Sequence, residues 1–495
     1  MRRLEILLTL ANLLTFCILA VPRLQAIHWM GYLALITVLT AGIQILVEGR
    51  RWQMVPAYAL AIIFFLIWVV GIATPGGIHV NRLIADPGVG LGVLALAISI
   101  VLPIVLPVFR FPRPSGPYRI GTLTYHWVDT SRHEIFSADP NAHRELMAQV
   151  WYPATKNSSS ARAPYVQGVG ALSPALARLA HLPGFAFDHF KYVTTNAVAS
   201  VPMATDKVSY PVLIFLEGLN GFRQMNTFQV EELVSHGYIV VAIDHPYAAA
   251  SVVFPDGHQV TGWTKDQMEP LTQQSINPAE KAPTVNGQTL KNGNIPYFAQ
   301  DVSFTLDQFT TLDKTDPNGI LTGRLDLQRV GIFGISLGAM VAGEALHMDP
   351  RIKAGLMMDA AVPADVLQAG LRQPSMWITR DADTMRLERQ RAGGWAEADI
   401  AQTLTTMREA FNESPPGDGY YVQVPGMFHL NFTDIPYFSP LAPQLGFAGP
   451  INAQRAFDIV NAYSLAFFNR YLVGSPAALL ADPAKQYPEV LFEKR

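Results

Sequence analysis

A single serine lies in a setting that suits a nucleophile. Residues 330–338, VGIFGISLG, place Ser336 between an apolar run and a helix-like stretch, with Gly334 and Gly338 two positions away on either side. This G-x-S-x-G pattern is typical of a nucleophile elbow, a strand-to-helix turn so tight that its flanking residues must be small. The backbone N–H of Leu337 would then point to the place where an oxyanion forms. The motif predicts nucleophilic catalysis by Ser336.

A histidine must take the proton of this serine, and a carboxylate must orient that histidine. Behind an elbow of this kind, the chain order is serine, acid, histidine. Two histidines follow Ser336 in the chain. His347 lies in the helix that leaves the elbow and cannot fold back, whereas His429 lies in a loop after the last predicted strand of the sheet. We therefore predict that His429 is the general base.

Three aspartates are candidates for the acid. Asp359 ends the apolar run AGLMMD, and Asp381 and Asp383 follow the next run, SMWITR. A carboxylate that leaves a buried strand needs a partner to offset its desolvation, which favours Asp359. The later position is the commoner one for the acid in hydrolases with such an elbow. Each aspartate could equally end a strand or cap a helix, so the residues alone leave the choice open.

The second oxyanion donor is expected in the loop after strand 211–216. This loop reads EGLNGF over residues 217–222, and Gly218 and Gly221 allow its backbone to approach a substrate closely. We predict that the N–H groups of Leu219 and Leu337 together bind the oxyanion. The alternative is an ordinary glycine-rich turn.

Alternating elements must hold these residues in place. Strands that alternate with helices indicate a mostly parallel sheet with helices on both faces. With an elbow serine, this pattern predicts an α/β-hydrolase fold. The predicted strands are 119–128, 146–152, 211–216, 238–243, 329–333, 354–358, 375–379 and 420–424, and the predicted helices are 171–182, 225–236, 298–312, 337–347, 384–411 and 453–472.

The first 110 residues differ from the rest in composition. Half of the 495 residues are hydrophobic and only 15% are charged, and this deficit of charge is concentrated before residue 110. A helix needs about 20 apolar residues to span a bilayer. Four stretches qualify, namely 4–21, 29–47, 54–74 and 88–109. We predict a four-helix transmembrane module over 1–110, a stiff proline-rich linker over 111–118 and a catalytic domain over 119–495. The first stretch could alternatively be a signal peptide.

Arginine placement predicts the orientation of the module, because cytoplasmic loops are rich in Lys and Arg. One side of a four-span module carries most of these arginines and the other carries Arg23 and Arg82. This places both chain ends in the cytoplasm, and we expect an inner-membrane protein of a bacterium. Because no ionisable residue lies in mid-span, an anchor is favoured over a transporter. The richer side holds Arg2, Arg3, Arg50, Arg51, Arg110 and Arg113.

Composition also excludes several classes of partner. The net charge of −3, with no cluster of Lys or Arg, argues against nucleic acid. The single cysteine, Cys17, excludes intramolecular disulfides and cysteine metal sites. The predicted chemistry needs neither a metal nor an organic cofactor.

The catalytic part resembles the platelet-activating-factor acetylhydrolase family, the serine-dependent, calcium-independent type. The resemblance implies that the acid follows the strand directly after the elbow helix, which is Asp359, and it agrees with His429 and the two leucine N–H donors. It implies phospholipids with short or oxidised acyl chains as substrates, or small esters, and the predicted transmembrane module would hold the enzyme at a lipid bilayer. It is carried between about 116 and 435 by GPYRIGT, RELMAQVWYPA, PVLIFLEGLNGFR, EELVSHGYIVVAIDHP, GISLGA, MMDAAV and FHLNFTD.

Two features depart from the family. The pair Glu217-Gly218 stands where the family usually has His-Gly, and a carboxylate there would oppose an oxyanion unless it is paired or turned away. The four-helix module is foreign to the secreted members. The leading hypothesis is a membrane-anchored carboxylic ester hydrolase. The alternatives are an acyltransferase or peptidase with the same residues and a non-catalytic membrane scaffold.

Overall fold

The chain forms two compact units. The computed structural model describes residues 1–20, 30–74, 82–155, 161–482 and 485–495, with backbone only at 30, 31 and 82–86. Arg23 and Trp29, where the second predicted span begins, lie outside these residues. The first unit consists of Met1–Phe109 with two short later segments, Asp188–Val193 and Phe438–Leu441. The second unit consists of Arg110–Phe187, Thr194–Tyr437 and Ala442–Arg495.

The second unit contains every strand and nine of the thirteen α-helices in the described residues. The strands are β1 Arg119–His133, β2 His143–Ala154, β3 Arg162–Pro164, β4 Thr194–Ala199, β5 Tyr210–Leu216, β6 Ile239–Asp244, β7 Ser251–Val253, β8 Gln259–Thr261, β9 Thr284–Val285, β10 Gln288–Thr289, β11 Leu325–Ile335, β12 Ile352–Met358, β13 Ser375–Thr379, β14 Gly419–Gln423 and β15 Leu491–Lys494. The helices are α1 Arg3–Ala20, α2 Met30–Glu48, α3 Val55–Ala73, α4 Arg82–Val105, α5 Val169–Leu179, α6 Thr227–Ser235, α7 Lys265–Ile276, α8 Ile295–Lys314, α9 Leu337–Met348, α10 Ala364–Ala369, α11 Ala382–Ala392, α12 Glu397–Glu413 and α13 Ala453–Phe468.

Eleven strands form one large sheet in the order β15-β14-β13-β12-β11-β5-β6-β2-β1-β4-β3. The run from β14 to β6 is parallel throughout, and antiparallel pairs occur only towards the two edges. Every residue of β5 and β6 is buried. Continuous apolar runs of this kind are typical of parallel strands that are covered on both faces. The prediction of a mostly parallel α/β fold is confirmed.

The structure differs from the sequence prediction in several places. The helical region 384–411 is two helices, because Gly393 adopts a left-handed conformation (φ 69°) that ends α11. The stretch expected to be a polar loop up to residue 294 contains α7, which begins at a capping box between Thr264 and Gln267. The short strand β15 pairs antiparallel with β14 and adds an edge to the sheet.

The first unit contains four apolar helices. By length and composition, three stretches could cross a membrane: Arg3–Ala20, Trp52–Ala73 and Pro87–Val105. The second helix has a shorter apolar stretch among the described residues, Tyr32–Glu48, so a fourth span stays a prediction. The last helix begins at residue 82 and ends at 105, earlier than the predicted 88–109.

These helices expose apolar side chains and bury polar ones, which is the reverse of the distribution in a water-soluble helical bundle. Large apolar residues face outwards, with Leu46 86% and Ile72 69% exposed. Polar side chains are buried instead, including Asn12 and Gln44. Glu5 is also buried, and its carboxylate pairs with Arg51. Soluble helices put their polar face outside, so the surface of this unit suits apolar surroundings.

Candidate active site

The elbow has the predicted strand–turn–helix form. Strand β11 ends at Ile335, α9 begins at Leu337, and Ser336 between them has φ 58° and ψ −124°. A Cβ on Gly334 would lie 2.3 Å from the carbonyl oxygen of Gly338, and one on Gly338 would lie 2.2 Å from that of Leu216. Both glycines are therefore required by close backbone approach, and the turn holds Ser336 in a strained conformation.

Asp359 and His429 are hydrogen-bonded. Asp359 follows the last residue of β12, has φ 51° and is completely buried. Its Oδ2 lies 2.6 Å from Nδ1 of His429, and its Oδ1 accepts a hydrogen bond from the Thr379 hydroxyl at 3.0 Å. His429 begins a short 3₁₀ turn after β14. The structure thus brings together two of the three predicted catalytic side chains.

The other candidates have different partners. Asp381 caps α11, because its carboxylate accepts the N–H of Thr384 at 2.8 Å. The Asp383 side chain is 93% exposed and pairs with Arg386 on the surface. His347 lies exposed near the end of α9. None of the three contacts Asp359, Ser336 or His429 in the described residues.

The serine is held by its backbone. Its N–H donates to the carbonyl oxygen of Met358 at 3.0 Å. Within the described chain, the Ser336 hydroxyl makes no hydrogen bond, so the structure does not join it to His429. Catalytic hydrogen bonds are often long before substrate binds.

The glycine-rich loop after β5 lies beside the serine. A Cβ on Gly218 would be 3.1 Å from the Cβ of Ser336. The N–H groups of Leu219 and Leu337 donate to no acceptor in the part of the chain that the structure describes. The loop and the start of α9 therefore each leave one backbone donor unused near the elbow.

Glu217, the departure from the family pattern, is paired. Its Oε1 accepts hydrogen bonds from the backbone N–H of His245 at 2.8 Å and from Nδ1 of His245 at 3.1 Å, and both side chains are buried. Burial alone would lower the pKa of His245, but the charge of Glu217 and their hydrogen bond raise it above its usual value. The carboxylate is thus balanced by a histidine that favours its cationic form.

Sequence reasoning missed two charged residues behind the Asp359–His429 pair. Nε of Arg380 lies 2.7 Å from Oδ2 of Asp359, and the same guanidinium pairs with Glu388. Burial would raise the pKa of Asp359, but the charge of Arg380, together with the hydrogen bond from His429, lowers it to about 2. The available signal was an arginine directly after a buried apolar strand, where a charge needs a partner.

Comparisons with known proteins identify the family of the chain. Residues 104–475 match the family described as platelet-activating factor acetylhydrolase, isoform II. The chain belongs to this family. Among curated members of the acetylhydrolase family or its close relatives, a probable 1-alkyl-2-acetylglycerophosphocholine esterase of Arthroderma benhamiae is 25% identical, over 81% of this chain and 98% of its own length. The platelet-activating factor acetylhydrolase of Cavia porcellus is 24% identical, over 73% and 78%.

A solved esterase shares the fold. The ferulic acid esterase of Streptomyces cinnamoneus superposes with a TM-score of 0.60 at 28% identity, and the match covers 78% of this chain and all of that structure. Membership of the acetylhydrolase family and this likeness identify the chain as an ester hydrolase with an α/β fold. Within the described residues, no group of three or more His, Cys, Asp or Glu side chains is placed to hold a metal ion.

Proposed function

We propose that the protein is a membrane-anchored serine carboxylic ester hydrolase that cleaves short-chain or oxidised acyl esters of phospholipids, or small esters. The proposal rests chiefly on one observation. The strained Ser336 lies at the carboxyl end of β11, and the hydrogen-bonded pair Asp359 and His429 follows the ends of β12 and β14. Ligands of open α/β sheets bind at this edge.

The first half of the reaction would form an acyl-enzyme. Ser336 Oγ attacks the ester carbonyl carbon, and its proton passes to Nε2 of His429. Asp359 accepts the Nδ1–H, which fixes the tautomer and stabilises the imidazolium. The N–H groups of Leu219 and Leu337 would bind the oxyanion of the tetrahedral intermediate. When the intermediate collapses, the C–O bond to the alcohol breaks and His429 returns the proton to that oxygen.

The second half would release the acid. A water molecule takes the place of the alcohol and attacks the acyl carbon while His429 accepts its proton. The second intermediate uses the same backbone donors. Collapse then breaks the bond to Ser336 Oγ, which recovers its proton from His429. The carboxylic acid leaves and the enzyme is restored without a cofactor.

Anchoring is supported by the reversed polarity of the first unit. Three helices have the length and composition to cross a bilayer, their outer faces are apolar, and their polar side chains are buried inside. The Glu5–Arg51 ion pair, with a distance of 3.0 Å, joins α1 to the start of the third apolar segment. A cleaved signal peptide would leave Arg51 buried without this partner, so we propose that α1 stays in the mature protein.

The substrate proposal comes from the relatives. The fungal relative is named as a probable esterase of a 1-alkyl-2-acetylglycerophosphocholine, and the relative from Cavia porcellus is named as an acetylhydrolase. A membrane anchor would hold the catalytic domain beside such lipids. We propose the same substrate class here, with the catalytic domain on the cytoplasmic side.

A fluorophosphonate probe tests the catalytic proposal. The detergent-purified full chain is treated with the probe, alongside Ser336→Ala and His429→Ala, while hydrolysis of p-nitrophenyl acetate and butyrate is followed. We expect labelling and turnover by the wild type, and a loss of about 10³-fold or more in each variant because the residues act as a unit. A folded wild type that neither labels nor hydrolyses either ester would overturn the proposal.

Defined phospholipid vesicles test the substrate class. Glycerophosphocholines with acetyl, butyryl or palmitoyl at the sn-2 position are compared at equal concentration in the same vesicles. We expect rates to fall steeply as the acyl chain lengthens. Equal rates on all three would overturn the proposed preference for short acyl chains, and hydrolysis of soluble esters alone would overturn the phospholipid proposal. Either outcome would leave the esterase in place.

A further inference from the structure

The buried charges behind His429 form a closed ring. Asp359 Oδ2 contacts Nδ1 of His429 at 2.6 Å and Nε of Arg380 at 2.7 Å. Arg380 also pairs with Glu388. Glu388 closes the ring, because its Oε1 accepts the backbone N–H of His429 at 3.1 Å. Four different segments of the chain therefore meet through these contacts.

Trp395 packs against this closed ring of charged side chains. The Trp395 ring centroid lies 5.0 Å from that of His429, and the Arg380 guanidinium carbon lies 4.9 Å from the same Trp395 centroid. Arg380 and Asp359 are completely buried, and Glu388 is 7% exposed. Charges with so little access to water interact much more strongly than surface charges do.

The ring carries two negative charges and one positive charge around the imidazole. Asp359 and Glu388 favour the imidazolium form of His429, and Arg380 opposes it. The formal charges of the three side chains sum to −1, the same as that of Asp359 alone. Arg380 therefore offsets the additional negative charge of Glu388 while it holds the buried Asp359 carboxylate in place.

We infer that Arg380 and Glu388 are positioning residues that act through Asp359 and His429, and that their opposite charges balance at the imidazole. This inference rests on the proposed catalytic function. It assigns to Glu388 the backbone position of His429, and to Arg380 the position of the Asp359 carboxylate.

In the described residues, the charged groups on the neighbouring elements have partners of their own. On β14, burial and the charge of Asp359 raise the pKa of the Tyr421 phenol. The guanidinium carbon of Arg408 lies 4.0 Å from the centroid of the Tyr421 aromatic ring. The packed helix α13 carries Arg455, which pairs with Glu489, and Asp458, which accepts from Gln454. The elbow presents the neutral Ser336, and the start of α11 presents Asp381 and Asp383, which are already engaged with Thr384 and Arg386.

The pH dependence of kcat/KM for p-nitrophenyl acetate tests the inference. The acid limb of this profile reports the ionisation of the essential general base in the free enzyme. Glu388→Gln removes a negative charge but keeps an oxygen for the His429 N–H, so its limb should move to lower pH. Arg380→Gln removes a positive charge, so its limb should move to higher pH. Each shift should be on the order of one pH unit.

Two further variants control for structural damage. Arg380→Lys keeps the charge and should leave the limb near the wild-type position, and the double variant Arg380→Gln/Glu388→Gln restores the net charge and should return the limb towards it. Lower activity in both single variants without opposite shifts would overturn the inference. If Arg380→Gln does not fold, Glu388→Gln tests the inference by itself. An acid limb that stays at the wild-type pH or moves to higher pH in this variant would contradict the charge balance. If the proposed function itself is wrong, the wild-type protein would instead show no turnover at any pH.

Discussion

The backbone N–H of Ser336 donates to the carbonyl oxygen of Met358 at 3.0 Å. Ile335 and Met358 are paired across the parallel strands β11 and β12, so the residues that follow them, Ser336 and Asp359, leave the sheet side by side. Both adopt positive φ, which is unfavourable for residues other than glycine. Backbone pairing in the sheet therefore places the predicted nucleophile beside the predicted acid, independently of any contact between their side chains.

Replacing the acid should distinguish Asp359 from Asp381. Asp359→Asn removes the charge that stabilises the His429 imidazolium and allows the wrong tautomer, so we expect kcat to fall by about 10³- to 10⁴-fold. Asp381→Asn is the matched control, because asparagine caps helices about as well as aspartate. Its kcat for p-nitrophenyl acetate should stay within a few-fold of the wild-type value. The reverse ranking would reassign the acid.

A methyl group at Gly218 should impair catalysis without unfolding the protein. The new Cβ would lie 3.1 Å from Cβ of Ser336, so the loop with the Leu219 N–H must shift by a fraction of an ångström. Misplacing one oxyanion donor costs about 3 kcal/mol of transition-state stabilisation at most, so we expect kcat to fall by about 10- to 100-fold. Gly343→Ala is the control, since its nearest neighbour is 4.0 Å away. Equal activity of both variants would argue against the loop as a donor.

The Glu217–His245 pair should matter through its charge. His245→Gln removes the imidazolium charge beside the Glu217 carboxylate, which keeps only the hydrogen bond from the backbone N–H of residue 245, and we expect kcat to fall by about tenfold or more. The double variant Glu217→Gln/His245→Gln removes both charges and should recover part of this loss. Because the pKa of His245 is raised, its contribution to stability is complete below its unfolded pKa and is lost as pH rises through its folded pKa. Thermal unfolding should show His245→Gln to be less destabilising in alkaline than in mildly acidic buffer.

Glu344 in the elbow helix should make the protein less stable as pH rises. Burial, with the nearby charge of Asp365, raises its pKa to about 7. The folded state therefore binds more protons than the unfolded state between about pH 4.5 and 7, and stability falls across that window. We expect Glu344→Gln to raise the free energy of unfolding by about 1–3 kcal/mol in mildly alkaline buffer and to have little effect near pH 4.5. An equal effect at both pH values would contradict this account.

Reporters on the chain ends should count the membrane spans. Four spans place both ends in the cytoplasm, whereas three spans place them on opposite sides of the membrane. A C-terminal fluorescent protein should be bright and a C-terminal alkaline phosphatase inactive in the proposed topology. An N-terminal epitope tag accessible only after the inner membrane is opened would confirm the even number. A tag absent from the mature protein would instead identify α1 as a cleaved signal peptide.

Local sequence pattern was sufficient to predict two kinds of element: strands with a continuous apolar run, and turns in which only glycine fits. The apolar runs that became β5, β6, β11, β12 and β13 were predicted within a few residues, because a strand covered on both faces must be apolar along its length. The glycines around Ser336 were readable because the turn tolerates no Cβ there. Helix α7 was missed because its sequence is mostly polar and contains a proline, although the capping box of Thr264 and Gln267 was a readable start signal.

The sequence by itself determined the α/β fold, the elbow serine and the order serine, acid, histidine, because backbone geometry and strand burial restrict the residue types at those positions. It left Asp359, Asp381 and Asp383 open on residue pattern. Only the tertiary structure decided which aspartate lies beside His429, since that contact depends on the order of strands in the sheet. The same holds for three buried carboxylates and their partners, which lie on separate segments of the chain. These pairs are Glu217 with His245, Asp359 with Arg380, and Glu388 with His429. Buried charges choose their partners through space, and linear spacing does not encode that choice.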